Sequence, residues 1–428
     1  MLNIQFIRDN VDLVTEKSKQ KGYDVNIKRL IELDTKRREL ITKVDEIRQK
    51  RHETSAHANA KKPSQQQIAT GKELKEQLAA SEAILQKIDQ EYSNLLKQVP
   101  NMPMDDVPVG TSEEDNQVAK TVGEPTKFDF EPKNHVDLAI DHDWLDKERA
   151  AKVAGSRFAY IKGDLVRMQF ALIQFALDSL TDESVLTHII QTNNLKVSSK
   201  PFTPILPPAM ARTEVYEATA RLNKEEQTYK LADDDLWLNA SAEHTLAPMY
   251  IDEIIGESEL PIRYIGYTTA FRREAGTYGK DMEGIFRLHQ FDKLEMESFS
   301  LPADSLQEHL FMIAIQEYFM QQLNLPYQVI LKCTADIGGP NARGVDINTW
   351  LPGQNQYRET HTADYMTDFQ ARRMRTRVKY QDQHIEFVHT NDATAFAMGR
   401  TLIAIIENYQ DQSGNIRIPE ILKPYMKV

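Results

Sequence analysis

Thr268–Phe299, TTAFRREAGTYGKDMEGIFRLHQFDKLEMESF, is the stretch whose reading decides the fold. It reads as two strands joined by a glycine-containing loop. Side chains alternate across a strand. In the second strand this puts Arg287, His289, Phe291, Lys293 and Glu295 on one face, and Phe286, Leu288, Leu294 and Met296 on the other. The second set is apolar and suits a core. The first set mixes an aromatic ring, a carboxylate and cations, which fits a strand lining a site; alternation alone fits a solvated edge face equally well. In the first strand, Arg272 and Glu274 likewise share a face.

Outward from this hairpin, a long helical pattern covers about 163–183, PFTPILPP (201–208) punctuates the chain, and several alternating stretches read as strands. The combination indicates an α+β domain built around a large antiparallel sheet. Upstream, PNMPMDDVPVGTSEEDN (100–116) has no periodicity and reads as a linker. Before it the pattern changes. Leu30, Leu33, Leu40, Val44 and Ile47 fall on three- and four-residue steps with Arg37 at the skipped position. Leu74, Leu78, Leu85, Ile88, Tyr92, Leu95 and Val99 repeat the spacing, with Ser81 in the gap. The polar stretch HETSAHANAKKPSQQQ, with Pro63 near its middle, separates the two series. Two heptad-patterned helices joined by a polar turn form an antiparallel coiled-coil hairpin. Roughly 30–35 residues per helix make an arm about 50 Å long. The domains expected are therefore 1–110, with the arm at about 27–99, and 111–428.

Composition limits the setting. A chain of 428 residues with 41% hydrophobic and 27% charged residues suits a soluble globular protein. The single cysteine, Cys333, excludes a disulfide framework and a cysteine-rich zinc site, and points to a reducing cytoplasm. The start, MLNIQFIRDNVD, lacks a secretory pattern, and the aliphatic run Leu402–Ile406 is too short to cross a bilayer, so no membrane role is expected. The net charge of −12 argues against a nucleic-acid partner only until it is divided. Residues 1–100 carry 19 Lys+Arg against 15 Asp+Glu, leaving the deficit to the remainder. The basic surplus sits on the arm. Lys-rich helix surfaces are common, and a dimerisation hairpin would show the same pattern.

FRREAG with RLHQFDKLE resembles motif 2 of the class II aminoacyl-tRNA synthetases, in the form that seryl-tRNA synthetases carry it. PPAMARTEVYEATARL (207–222) is similar to their motif 1 region and MGRTLIAIIENYQ (398–410) to their motif 3. TSEEDN (111–116), ERAAKVAGSRF (148–158), WLNASAEHTLAPMY (237–250), DIGGPNARGVDINTWLPGQNQYRE (336–359) and DFQARR (368–373) extend the likeness, in order, over essentially the whole chain. The resemblance implies a homodimeric ligase that joins serine to tRNA(Ser), with tRNA(Sec) as a second candidate. ATP is its co-substrate and Mg²⁺ its cation; no zinc is expected.

The family's roles fall on particular residues. Arg272 would bridge the serine carboxylate and the α-phosphate with its planar fork. Arg273, Glu274, Arg287 and Phe291 complete the motif 2 part of the ATP site, Glu274 reading the adenine amino group and Phe291 stacking on the ring. Arg400 would meet the terminal phosphates at a helix N-terminus. Glu359, Thr360, His361 and Thr362 form another wall, with Glu359 and Thr362 holding Mg²⁺. Serine would be selected by Ser241, Ala242, Glu243, Arg272, Glu295 and Thr394. Catalytic weight rests on Arg272, Arg400 and Glu359.

The sequence departs from the family at several points. Ser241 stands for threonine, and Thr360-His361-Thr362 follow Glu359 where Ile-Ser-Ser is usual. Asp392-Ala393-Thr394-Ala395 replaces Asn-Gly-Ser/Thr-Gly, which is expected to restrict a backbone turn near the substrate. Asn348 removes a carboxylate from the Asp346–Trp350 stretch. His289 reads as a supporting residue and Cys333 as a small buried apolar one. Two other classes fit parts of the pattern: a synthetase-derived RNA-binding protein that has lost activation, and an enzyme that loads a carrier protein. The first would lose Arg272, Glu295 or Arg400, and the second would lack the arm; this chain keeps all of them.

Overall fold

The computed structural model describes residues 1–60, 64–222, 228–274 and 284–426. The turn expected around Pro63 and most of the loop expected within motif 2 (275–283) lie outside these. The chain divides into two compact units, Met1–Met102 and Pro103–Val428.

In the first unit, short helices α1 (Ile4–Asp9) and α2 (Val11–Gln20) precede α3 (Ile27–Ala60) and α4 (Gln65–Gln98). The last two are 34 residues each, about 50 Å of helix. They extend well into the polar stretch because it holds no helix breaker before Pro63. Ser64 starts α4 with a capping box, its hydroxyl accepting from the Gln67 amide while the Gln67 side chain accepts from the Ser64 amide. The seam buries Leu30, Leu33, Val44, Ile47 and Leu78, and near its base Leu96 turns inward where the heptad places Leu95. The skipped position also belongs to the seam. Arg37 donates to Asp89 at 2.5 Å and lies over the Tyr92 ring. Arg29 to Glu91 and Arg48 to Glu82 cross the hairpin in the same way, both at 2.8 Å. Part of the basic surplus thus ties the two helices together.

The second unit is built on an eight-stranded sheet among the described residues. Its strands are β1 (Gln117–Val122), β2 (Thr203–Ile205), β3 (Ile262–Phe271), β4 (Gln290–Ser300), β5 (Tyr327–Leu331), β6 (Arg343–Leu351), β7 (Gln356–Thr367) and β8 (His389–Ala397). Their order is β1-β5-β6-β7-β8-β4-β3-β2. Every pairing is antiparallel except that of the short edge strand β2 with β3, where Pro204 is tolerated because an edge position need not donate on both sides. Helices α5 (Asp164–Thr181), α8 (Ser305–Gln322) and α9 (Met398–Asn408) cover one face, packing against Leu294, Met296, Ile347 and Phe396 in a continuous apolar core. Two short helices, α6 (Thr213–Thr219) and α7 (Glu243–Leu246), precede β3. On α7, Leu246 packs so close to β3 that a Cβ at Gly266 would lie 2.7 Å from its Cδ1.

Two expectations change here. The segment 103–116 is a fixed part of the second unit rather than a loose linker: the Met104 amide donates to Ala342 O, Pro108 O accepts from Thr334 N, and Gly110 N donates to the Thr334 hydroxyl. The second motif 2 strand begins at Gln290, so Phe286–His289 are irregular and not strand. Among the described residues, no helix is long and apolar enough to cross a membrane.

Candidate active site

The polar face of the sheet carries a cavity lined by Arg272, Glu274, Phe286, Arg287, Leu288, Phe291, Lys293, Glu359, Thr360, Thr362, Thr394 and Arg400, with Ile285, Ala397 and Gly399. Arg272 and Arg400, 128 positions apart in sequence, share its wall. Arg272 Nε donates to Ala240 O at 3.2 Å, and the guanidinium lies over the Phe291 ring. His289 supports it from behind: the Arg272 amide donates to His289 O, and His289 Nδ1 is 2.9 Å from Arg272 O. Arg400, the third residue of α9, donates to the Glu359 carboxylate at 2.7 Å and its carbonyl at 3.1 Å. Arg400 and Arg358 both lie over the Phe286 ring, a contact that pattern reading assigned to the core. Glu274 has a left-handed φ of +48° and meets Arg287 at 3.7 Å.

Glu359 and Thr362 reach the cavity together because of one irregularity. Strand alternation places residues three apart on opposite faces. In the β6–β7 pairing, however, Ile347 faces His361 while Asn348 faces Glu359, leaving Thr360 as an extra residue. The bulge resets the alternation, and Glu359 and Thr362 both line the cavity. Thr360 also lines the cavity, but its hydroxyl is taken up by Thr349, His361 and Ile347 O. Asn348 stands opposite Glu359, so the departure at this position removes a like charge. The Glu359 side chain is half-exposed, and Arg400, Lys332 and Arg272 hold its carboxyl down at about 2.

Beside the cavity, reached through its wall residues Lys293 and Thr394, three groups converge on one buried oxygen. Glu295 Oε1 accepts from Ser241 Oγ at 3.1 Å and Thr394 Oγ1 at 3.3 Å, and pairs with Lys293 Nζ. Burial and the charge of Glu243 push the Glu295 carboxyl above its ordinary range against the pull of Lys293. Ala242 is buried against β3 and offers no polar side chain. Glu243 lies behind this group, 3.2 Å from Arg221, and Asp392 meets the same Arg221 nitrogen at 3.1 Å.

Two residues assigned by resemblance to the nucleotide stand elsewhere. His361 is on the core face, packed edge-on to Phe396, because the bulge turns it away from the cavity. Burial drives its imidazole down to about 3, so it is neutral. Arg273 donates to Thr228 O and lies over Tyr229, outside the cavity wall. Nor is there a turn at 392–395: these residues run through β8, between β7 and β4, where alanine fits extended backbone and glycine is not needed. Arg221 and Glu297 were missed. Arg221 follows α6 in an irregular stretch at the end of the motif 1 string (207–222), where no period marks the direction of its side chain, whereas Glu297 was available from simple continuation of Lys293 and Glu295 along β4.

The antiparallel sheet, with one arginine at the end of its central hairpin and another at the head of the last helix, defines the class II aminoacyl-tRNA synthetase core. Residues 227–409 match the model of the tRNA synthetase class II core domain (G, H, P, S and T). Residues 1–103 match the seryl-tRNA synthetase N-terminal domain. A serine–tRNA ligase of Symbiobacterium thermophilum is 38% identical over 100% of this chain and 99% of its own length. Among solved structures, the seryl-tRNA synthetase of Pyrococcus horikoshii complexed with ATP superposes with a TM-score of 0.88 at 34% identity, covering 99% of this chain and 98% of that one. The cytoplasmic serine–tRNA ligase of Naegleria fowleri with AMP gives 0.83 at 31%, covering 99% and 97%. Within the class, this chain belongs to the seryl-tRNA synthetase family.

Proposed function

We propose that the cavity activates serine with ATP and that the product, seryl-adenylate, passes its serine to the 3′ end of tRNA(Ser). The observation that carries this reading is the convergence of Ser241, Thr394 and Lys293 on the buried Glu295, with Thr394 and Lys293 lining the same cavity as Arg272 and Arg400. A small pocket with a buried carboxylate and two hydroxyls suits an amino acid bearing an ammonium and a hydroxyl. Alanine brings no hydroxyl to such a pocket, and a site built to hydrogen-bond a substrate hydroxyl rejects the deoxy analogue by roughly 10⁴–10⁵.

The serine carboxylate attacks the α-phosphorus and pyrophosphate leaves; a tRNA ribose hydroxyl then attacks the acyl carbon and AMP leaves. No protein nucleophile is needed, so the protein's contribution is positioning and charge. Arg272, held flat by Ala240 O and Phe291, lies where carboxylate and α-phosphate would meet. Phe291 and Glu274 serve the adenine. Arg400 at the start of α9 serves the terminal phosphates. Glu359, ionised throughout the working range, and the Thr362 hydroxyl form an all-oxygen pair suited to Mg²⁺, which when bound neutralises phosphate charge. The α3–α4 hairpin, with its basic surplus, grips the tRNA, and the enzyme works as a cytoplasmic homodimer.

Pyrophosphate exchange into ATP, run with each of the twenty amino acids, tests the reading. Serine alone should support strong exchange. Preference for another amino acid would overturn the pocket assignment.

A further inference from the structure

Next to the Ser241–Glu295 cluster, the sheet carries a row of acids. Asp364 on β7, Asp392 on β8 and Glu297 on β4 stand directly opposite one another in register across three adjacent strands. Like charges directly opposite repel, and the more so when buried, as all three are. Glu243 from α7 approaches the same row, and one Arg221 nitrogen lies 3.1 Å from Asp392 and 3.2 Å from Glu243. The Asp392 and Glu243 carboxyls therefore meet at one guanidinium nitrogen. One cation does not offset two buried carboxylates with further acids beside them, so one of the two keeps its proton and, since an ionised carboxylate only accepts, is the one able to donate to the other. The surroundings choose which. Glu243 has Arg221 and also His244, whose Nδ1 accepts from Ala240 N and whose Nε2–H therefore points at Glu243, 3.3 Å away. Asp392 has Asp364 and Glu297 as its cross-strand neighbours and shares only Arg221.

We propose that Asp392 is a positioning residue of the serine site: it remains a neutral acid and donates its proton in a hydrogen bond to Glu243, fixing that carboxylate beside Ser241 and Glu295. The titration tendencies agree with the geometry. Burial, with the charge of Glu243, holds Asp392 well above the ordinary carboxyl range, while Glu243 is held well below it despite burial, chiefly by Arg221. The proposal rests on the assignment of serine to this pocket. It also accounts for a departure in the sequence: a protonated aspartic acid donates and accepts as an asparagine amide does, so Asp can stand where the family carries Asn. An ionised Asp392 would instead repel Glu243 and loosen the site from behind.

The test compares the parent enzyme with Asp392→Asn and Asp392→Ala in serine-dependent pyrophosphate exchange across the neutral and alkaline range. Asp392→Asn keeps the donor and should hold the KM for serine within about twofold of the parent at neutral pH, while losing the alkaline rise in KM that ionisation of Asp392 gives the parent. Asp392→Ala removes the donor and should raise that KM about tenfold with kcat little changed, the cost of one buried hydrogen bond. An asparagine variant as impaired as the alanine variant would show that a charge is needed at 392, and would overturn the proposal. An infrared difference spectrum, parent minus Asp392→Asn at neutral pH, should contain the carbonyl stretch of a protonated carboxyl; its absence overturns the proposal whatever the kinetics. If the band is present but the parent shows no exchange with serine, the pocket assignment fails and the positioning role with it.

Discussion

Removing the Glu295 side chain is the perturbation whose size can be worked most directly from the structure. Glu295, 1% exposed, accepts two hydroxyl hydrogen bonds on Oε1, at 3.1 and 3.3 Å, and pairs with Lys293. In the complex it would also meet the serine ammonium. Glu295→Ala deletes that ion pair and releases the two hydroxyls that orient the substrate. A hydrogen bond to a charged group contributes about 1.5–3 kcal/mol, so two such losses amount to about 3–6 kcal/mol, or roughly 10²–10⁴ in kcat/KM for serine. Glu295→Gln keeps an acceptor but no charge, and should fall between the two, at roughly 10–10². The assay is serine-dependent pyrophosphate exchange, with ATP binding measured separately and expected to hold. Lys293 is left without its carboxylate, and an uncompensated buried charge costs about 3–5 kcal/mol of stability, so thermal melts must accompany the kinetics. Folded Glu295→Ala protein that exchanges within tenfold of the parent would refute the reasoning, as would a loss confined to ATP binding.

Other outcomes follow from the same contacts. Leu78→Ala at the arm's seam should cost about 2–3 kcal/mol in urea unfolding of the first unit, toward the low end for a buried leucine because the seam is narrow; tRNA charging should fall while serine-dependent exchange persists, and equal loss of both would count against a separate role for the arm. Glu359→Gln should depress exchange at least tenfold and demand more Mg²⁺; it should also flatten part of the acid loss of stability, because a carboxyl held at about 2 favours the folded state above its unfolded value near 4 and gives this up as pH falls between the two. Unchanged Mg²⁺ dependence would remove Glu359 from the cation site. His361→Leu should leave the KM for ATP within about twofold, since the ring lies on the core side. Its imidazole resists protonation down to about 3, so the parent loses stability as pH drops from about 6.5, where the unfolded chain takes up the proton, and the variant should lose less. A tenfold rise in that KM would return His361 to the nucleotide.

How far the sequence reached depended on whether a local period held. The β4 alternation held from Phe291 onward, which is why Phe291, Lys293 and Glu295 were placed together from spacing alone. The seam of the arm followed its heptads for the same reason, and Arg37 broke the apolar pattern without leaving the seam because Asp89 and Tyr92 receive it. Where the period was broken or absent, reading failed. The irregular stretch Phe286–His289 puts Phe286 under two guanidinium groups instead of in the core. Arg221 lies in an irregular segment, and its partners Glu243 and Asp392 are 22 and 171 positions away. Asp392–Ala395 resembled a turn only by analogy with glycines that this chain lacks; the backbone is strand.

The extra residue at Thr360 puts the two halves of β7 out of step with each other. Ahead of it Glu359 faces the cavity at an odd number, and beyond it Thr362 does so at an even one. One inserted backbone unit therefore acts as a frameshift in three dimensions. Deleting Thr360 would leave every neighbouring side chain in the protein yet turn Glu359 toward Phe396 or drag His361 into the cavity. A substitution at 360 that keeps the bulge should cost little beside the deletion, so the identity of the residue there matters less than its presence.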